Sequence, residues 1–292
     1  MLTSGELLIA PTEGKNRMLS GGVYGLTFSE LGSAPGLVSP AGDDWVDVRL
    51  DRRRGHGPFP PTTISEQRAA VRVDDGGQVI VSRRQRRATV LSSRVIPVEE
   101  LVHPYLSPVG AVFAHWLGWQ ALHAGAVAGP GGAWGVLGPS GAGKSTMLAW
   151  LALRGWPVVS DDLLVTRDME ALAGPRMLDI RPSAAGQVGG HRRFNSCRGG
   201  SRRRLRLSAI DPQIPLAGWI FLAWGDGPSL VGLGPSERLR RLGENRMVRL
   251  VSSTTPARLL DLATLPAWEL RRPKRWDLLG VCAERVLELV SA

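Results

Sequence analysis

Eight consecutive residues, Gly138-Pro139-Ser140-Gly141-Ala142-Gly143-Lys144-Ser145, have the types and the order needed to hold a polyphosphate. The glycines let backbone N–H groups turn inward around phosphate oxygens, Lys144 can reach the outer phosphates, and the Ser145 hydroxyl can ligate Mg²⁺. With Thr146 behind it, the segment satisfies GxxxxGK[ST] in full. Lysine occurs only three times in the chain, at Lys15, Lys144 and Lys274, so composition does not account for one at this position. The adjacent acids Asp161 and Asp162 follow Lys144 by 17 and 18 residues. One carboxylate could take a proton from an attacking hydroxyl while the other orients Mg²⁺ or its water.

These side chains need a strand, a loop, a helix and a second strand to bring them together. Apolar runs at His123 to Ala128 and Ala133 to Leu137 flank the turn Gly129-Pro130-Gly131-Gly132 and read as paired strands. A helical pattern from Ser145 to Arg154, closed by Gly155, leads to a strand at Pro157 to Ser160 that delivers the acidic pair. Ligands of open α/β sheets gather at the carboxyl ends of strands, which places Asp161 and Asp162 opposite the phosphates. Upstream, a helix is expected over about Val109 to Leu122. Before Val98 the texture is β-like, with a hairpin over Ala70 to Val81 turning at Asp74-Asp75-Gly76-Gly77, and a surface loop over Arg52 to Thr63. The expected architecture is α/β, with a small β-rich N-terminal domain over residues 1–100 and a phosphate-binding domain over residues 101–292.

Composition narrows the setting. At 292 residues and 43% hydrophobic content the chain can bury a large core, and Cys197 and Cys282 cannot make a disulfide framework. Nothing near Met1 resembles a signal-peptide core, so a cytoplasmic location is the default expectation. Residues Leu101 to Gly143 lack Asp, Glu, Lys and Arg, but prolines and glycines break the run below the ~20 residues of a membrane span. The net charge of +10 favours anionic partners, such as nucleotides or acidic proteins. Nucleic-acid binding would rest on arginine alone, without an aromatic-studded RNA motif, and is disfavoured. The segment His191 to Leu207 holds seven arginines and no acid, and reads as a loop that could close over a nucleotide or grip an acidic acceptor.

Other phosphate-loop classes fit less well. Leu19-Ser20-Gly21-Gly22 imitates part of a transporter-ATPase signature but precedes the glycine-rich loop, and no Asn-Lys-x-Asp, Asp-Phe-Gly or His-Arg-Asp motif is present. Asp226, just after the apolar strand Gly218 to Trp224, is an alternative acidic partner for the loop.

Taken together, His123, the glycine-rich loop and the Asp pair resemble the HPr kinase/phosphorylase family. The likeness is carried by Leu122 to Val165, LHAGAVAGPGGAWGVLGPSGAGKSTMLAWLALRGWPVVSDDLLV. The resemblance implies a kinase domain of the HPr-kinase/PEP-carboxykinase-like type, using ATP and Mg²⁺ to phosphorylate a Ser or Thr hydroxyl on a protein or peptide. His123 would be the active-site histidine, Lys144 the phosphate-binding lysine, Ser145 a magnesium ligand, and Asp161 and Asp162 the pair that supplies the proton acceptor. Leu178-Asp179-Ile180-Arg181 looks like the family's Glu-Ile-Arg segment, so Asp179 would help hold magnesium. Thr146 stands where the family has Glu, and Pro182-Ser183-Ala184 replaces a glycine-rich continuation. These departures favour a standalone, peptide-tailoring type of kinase. Relatives with this core are often oligomeric, which implies self-association. The competing reading is a module or ATPase that binds nucleotide without passing phosphate to an acceptor.

Overall fold

The computed structural model describes residues 21–73, 76–250 and 255–291 and has a mixed α/β architecture. Asp74 and Asp75 of the expected hairpin turn and Leu19 and Ser20 of the signature-like tetrapeptide lie outside the described residues. Among those described, no helix is long and apolar enough to cross a membrane.

The N-terminal part holds a small sheet of Gly22–Val23, Leu26–Thr27 and Val46–Asp47, and a five-stranded sheet. The latter has the order Arg49–Arg54, Arg87–Ser92, Gln78–Ser82, Arg68–Arg72, Thr63–Ile64, and contains the expected hairpin. Alternation puts Val79 and Val81 inward on one strand and Ala88 and Val90 inward on its neighbour. Those residues share one apolar cluster with Leu106 and Val109 of the helix Leu106–Trp116, and with Leu163, Val165 and Leu172. The core therefore runs on past residue 100, where the sequence suggests a division.

The expected helix over Val109 to Leu122 begins earlier and stops at Trp116. Gly118, at φ 76°, turns the chain, and Gln120–Leu122 becomes a strand. That strand belongs to a nine-stranded sheet, with neighbours in the order Val158–Ser160, Gly125–Gly129, Gly132–Leu137, Gln213–Trp224, Glu170–Leu172, Leu164–Arg167, Gln120–Leu122. Ala267–Arg272 adds to Gln213–Trp224, and Ser229–Gly232 adds to Ala267–Arg272. The strands Gly132–Leu137, Gln213–Trp224 and Ala267–Arg272 are parallel, so their carboxyl ends share one side. The helix Lys144–Leu153 packs against Gly125–Gly129 and Val158–Ser160 of the same sheet, burying Met147, Leu148 and Leu151 completely. Burial of that kind contributes about 1.5–3 kcal/mol per side chain.

The two ends of this sheet nearly meet. Leu122 pairs with Leu164, and four residues further on Ala126 pairs with Ser160. The register carries through from Leu122–Leu164 to Ala126–Ser160: residues 120–127 and 158–166 follow one antiparallel ladder, interrupted around His123 to Ala124 and Asp161 to Leu163 and shifted by a bulge between Ala126 and Val127.

Candidate functional site

That interruption is where the expected site residues converge. Each chain crosses the gap by a γ-turn. Ala124 N–H donates to the Leu122 carbonyl at 2.8 Å, and Leu163 N–H donates to the Asp161 carbonyl at 2.7 Å. The second turn is centred on Asp162, whose φ is 63°. A γ-turn with positive φ is the rare, strained form, and such strain concentrates where function holds it in place. Gly125 allows the close approach, since a Cβ there would lie 2.8 Å from the Ser160 carbonyl and 3.4 Å from Cα of Asp161.

The glycine-rich loop lies against this gap. Gly138, Gly141 and Gly143 all have positive φ, and Gly143 opens the helix Lys144–Leu153 from the left-handed region. A helix start presents unpaired N–H groups and a positive dipole end, which together suit an anion. Pro139 and Ser140 are exposed, Ala142 and Lys144 are buried, and Ser145 and Thr146 are half-buried. Lys144 Nζ donates to the loop's own carbonyls, Gly138 at 2.7 Å and Pro139 at 3.3 Å. Burial pushes its pKa down, against the pull of Asp162 and Asp161.

Ser145 links the loop to the acidic pair, its hydroxyl donating to Asp161 Oδ1 at 2.9 Å. Asp161 is 2% exposed, and its Oδ2 has no hydrogen-bond partner among the described residues. Burial, followed by the neighbouring Asp162 charge, drives the Asp161 pKa well above the ordinary carboxylate range. Asp162 is half-buried. His123 is half-buried too, its backbone N–H held by the Asn245 carbonyl at 2.7 Å. Burial and then the Lys144 charge lower the His123 pKa, opposed by Asp162, so the ring is neutral at physiological pH.

Asp179 is brought near but is already engaged. Arg204 grips its carboxylate with two bonds of 2.8 Å, Arg198 Nε lies 3.0 Å from Oδ2, and His103 Nε2 lies 3.8 Å from Oδ2. Burial alone would raise its pKa, but the Arg204 bonds, then His103 and Arg198, hold it below the ordinary value. The arginine-rich stretch is accordingly no loop. Phe194–Cys197 and Arg202–Arg206 are strands, and Arg202–Arg206 pairs with Met177–Ile180. Asp226, the alternative acid, is exposed two residues beyond its strand.

Sequence reading missed several residues here. Arg272 is 5% exposed, lies 4.4 Å over the Trp224 ring, and donates through Nη2 to the Ala142 carbonyl of the glycine-rich loop. Arg176 donates to the Val159 carbonyl at 3.0 Å and the Val158 carbonyl at 2.5 Å, securing the strand that delivers the Asp pair. Tyr24 is fully buried, with its hydroxyl 3.3 Å from Ser107 Oγ. The available signal was a basic residue closing the strand Ala267–Arg272, but nothing local ties it to the loop.

No family model matches the chain, and no curated protein does. Among solved structures, the Hpr(Ser) kinase/phosphatase from Coxiella burnetii is similar at 13% sequence identity over 58% of this chain and 95% of that one, with a TM-score of 0.30. So loose a superposition leaves the functional reading to the geometry of the site.

Proposed function

We propose that the chain is a nucleotide-dependent phosphotransferase that binds ATP at Gly138 to Thr146 and passes a phosphoryl group to a hydroxyl on a protein or peptide. The observation that carries this is the Ser145–Asp161 hydrogen bond. It joins a phosphate-type loop to a buried carboxylate that still has a free oxygen, beside a second carboxylate in a strained turn. The residues suit Mg²⁺ brought in with a nucleotide. Among the described residues no three His, Cys, Asp or Glu side chains cluster closely enough to cage a metal, and Mg²⁺ on nucleotide phosphates needs only one or two protein oxygens. Ser145 and Asp161 would hold it, and when bound it would neutralise charge on the phosphates.

The chain's own residues divide the work. Gly138 to Ser145 orient the phosphates with backbone N–H groups. On nucleotide binding Lys144 exchanges the two loop carbonyls for phosphate oxygens, where its charge opposes the negative charge of the transferring group. Asp161 is committed to Ser145, which leaves Asp162 to accept the acceptor's proton. Neutral His123, set against Asp162 across the ladder gap, fixes the orientation of that turn. A protein or peptide acceptor is what the likeness to HPr kinases suggests, and the excess of basic residues favours an acidic one. Magnesium contact by Asp179 would require the carboxylate to leave Arg204 and Arg198.

Binding of Mg²⁺ and ATP to the wild type should be measurable by calorimetry. Lys144→Ala should cut phosphoryl transfer by about 10²–10³-fold, the loss seen when one transition-state charge contact is removed. Near wild-type turnover in the folded variant, or no nucleotide binding by the wild type, overturns this function.

A further inference from the structure

Arg272 is a buried cation without an ion-pair partner among the described residues, and it sits behind the glycine-rich loop. Its Nε also lacks a hydrogen-bond partner there. Burial lowers its pKa, with only the Cys282 thiol opposing. The other strongly buried arginines are fully engaged: Arg204 by Asp179, and Arg176 by the Ser208, Val159 and Val158 carbonyls. Keeping a desolvated guanidinium is costly, and the stack on Trp224 offsets only part of that cost.

The geometry gives this cation a task. Trp224 and Arg272 are register partners at the carboxyl ends of parallel strands, beside the strand that feeds the loop. From there Arg272 Nη2 reaches the Ala142 carbonyl. The contact is tight, since a Cβ on Gly143 would collide with Nη2, and Gly143 holds φ 84°. The Ala142–Gly143 peptide is planar and trans, so its N–H points opposite to its C=O. A guanidinium on the carbonyl behind the loop therefore turns the Gly143 N–H forward, and polarises it. That N–H donates to no backbone carbonyl among the described residues.

We propose that Arg272 is a positioning residue that orients and polarises the Ala142–Gly143 peptide, so that the Gly143 N–H is ready to donate to a phosphate oxygen. The proposal rests on the nucleotide-binding reading above and assigns the loop's anion affinity partly to a residue outside it.

The test is calorimetric titration of the full chain with Mg²⁺ and ATP, together with the ¹⁵N–¹H signal of Gly143. Arg272→Ala should weaken nucleotide binding about tenfold, the scale of losing a charge-assisted hydrogen bond, and should move the Gly143 signal before nucleotide is added. KM for ATP should rise by a similar factor, with kcat changed less. Millimolar guanidinium should restore part of the affinity, which a merely structural role would not allow. If Arg272→Ala does not fold, Arg272→Lys serves instead: it keeps the charge but loses the planar fork, and should show an intermediate loss. Wild-type affinity and an unmoved Gly143 signal in either variant, even with lowered thermal stability, overturn the proposal while the nucleotide reading stands. A wild type that binds no nucleotide overturns both.

Discussion

Two buried carboxylates, Asp161 and Asp179, lie close enough to sense each other's charge but are treated in opposite ways. Asp179 is matched by the Arg204 fork, Arg198 and His103, and its pKa is held low. Among the described residues Asp161 has a neutral side-chain hydrogen bond from Ser145, an oxygen without a partner and a second acid beside it, and its pKa is raised. Nothing about residue type separates them. A carboxylate whose surroundings satisfy it is part of the scaffold, whereas one left short of positive charge is poised for a cation to complete it. The same contrast holds for the arginines, with Arg204 satisfied and Arg272 not.

The comparison is broken most directly at the satisfied pair. Arg204 is 3% exposed at its side chain, and besides Asp179 it donates to the His103 carbonyl at 2.6 Å and the Glu99 carbonyl at 2.9 Å. It thus ties the strand Arg202–Arg206 to the segment entering the helix Leu106–Trp116. Arg204→Ala leaves Asp179 with an uncompensated charge and should destabilise the chain by about 3–5 kcal/mol, measured by urea unfolding. Asp179→Ala should cost a similar amount. If either variant unfolded at the wild-type urea midpoint but lost Mg²⁺ affinity, Asp179 would be a metal ligand and not an anchor.

Local order made much of the site legible. Loop, helix, strand and acidic pair follow one another from Gly138 to Asp162, so spacing alone placed Ser145 near the acids and the structure brings Ser145 and Asp161 to hydrogen-bond distance. The ladder gap was not legible, because it depends on pairing residues 120–127 with 158–166, and a sequence does not display register. Arg272 was hidden because its partner lies 130 residues away. The strand Arg202–Arg206 was misread for a different reason. A strand is recognised by alternating apolar residues, but here an inward position is filled by an arginine that buries itself against an acid, which erases the period. The helix expected to reach Leu122 was overextended because the apolar strand Gln120–Leu122 continues its hydrophobic run.

Between Asp161 and its neighbour Asp162 the two acids should separate by role. Asp162→Asn keeps the side chain's shape but removes its basicity, so turnover should fall by about 10²-fold while nucleotide affinity changes little. Comparing kcat with the calorimetric Kd for ATP checks this. A large loss of affinity with little loss of kcat would give Asp162 the metal and Asp161 the proton.

The smallest effect is also the least intuitive, because removing the Asp161 charge should stabilise the empty protein. Its pKa is raised in the folded chain, so at pH values above the ordinary carboxylate range the native state binds more protons than the unfolded state. Stability therefore declines as pH rises through the interval between the unfolded and folded values, and the full cost remains above it. Asp161→Asn cannot ionise and escapes that cost. In metal-free buffer near pH 7 its melting temperature should exceed that of the wild type, at about 2–4 °C per kcal/mol for a chain of this order of size. The gap should close as pH falls below the ordinary carboxylate range, where the wild-type acid is protonated in both states. Added Mg²⁺ and ATP should reverse the order, because the wild type gains a cation beside its unpartnered oxygen and the variant does not. If Asp161→Asn melted below the wild type without metal and gained as much from Mg²⁺ and ATP, Asp161 would belong with Asp179 among the satisfied acids.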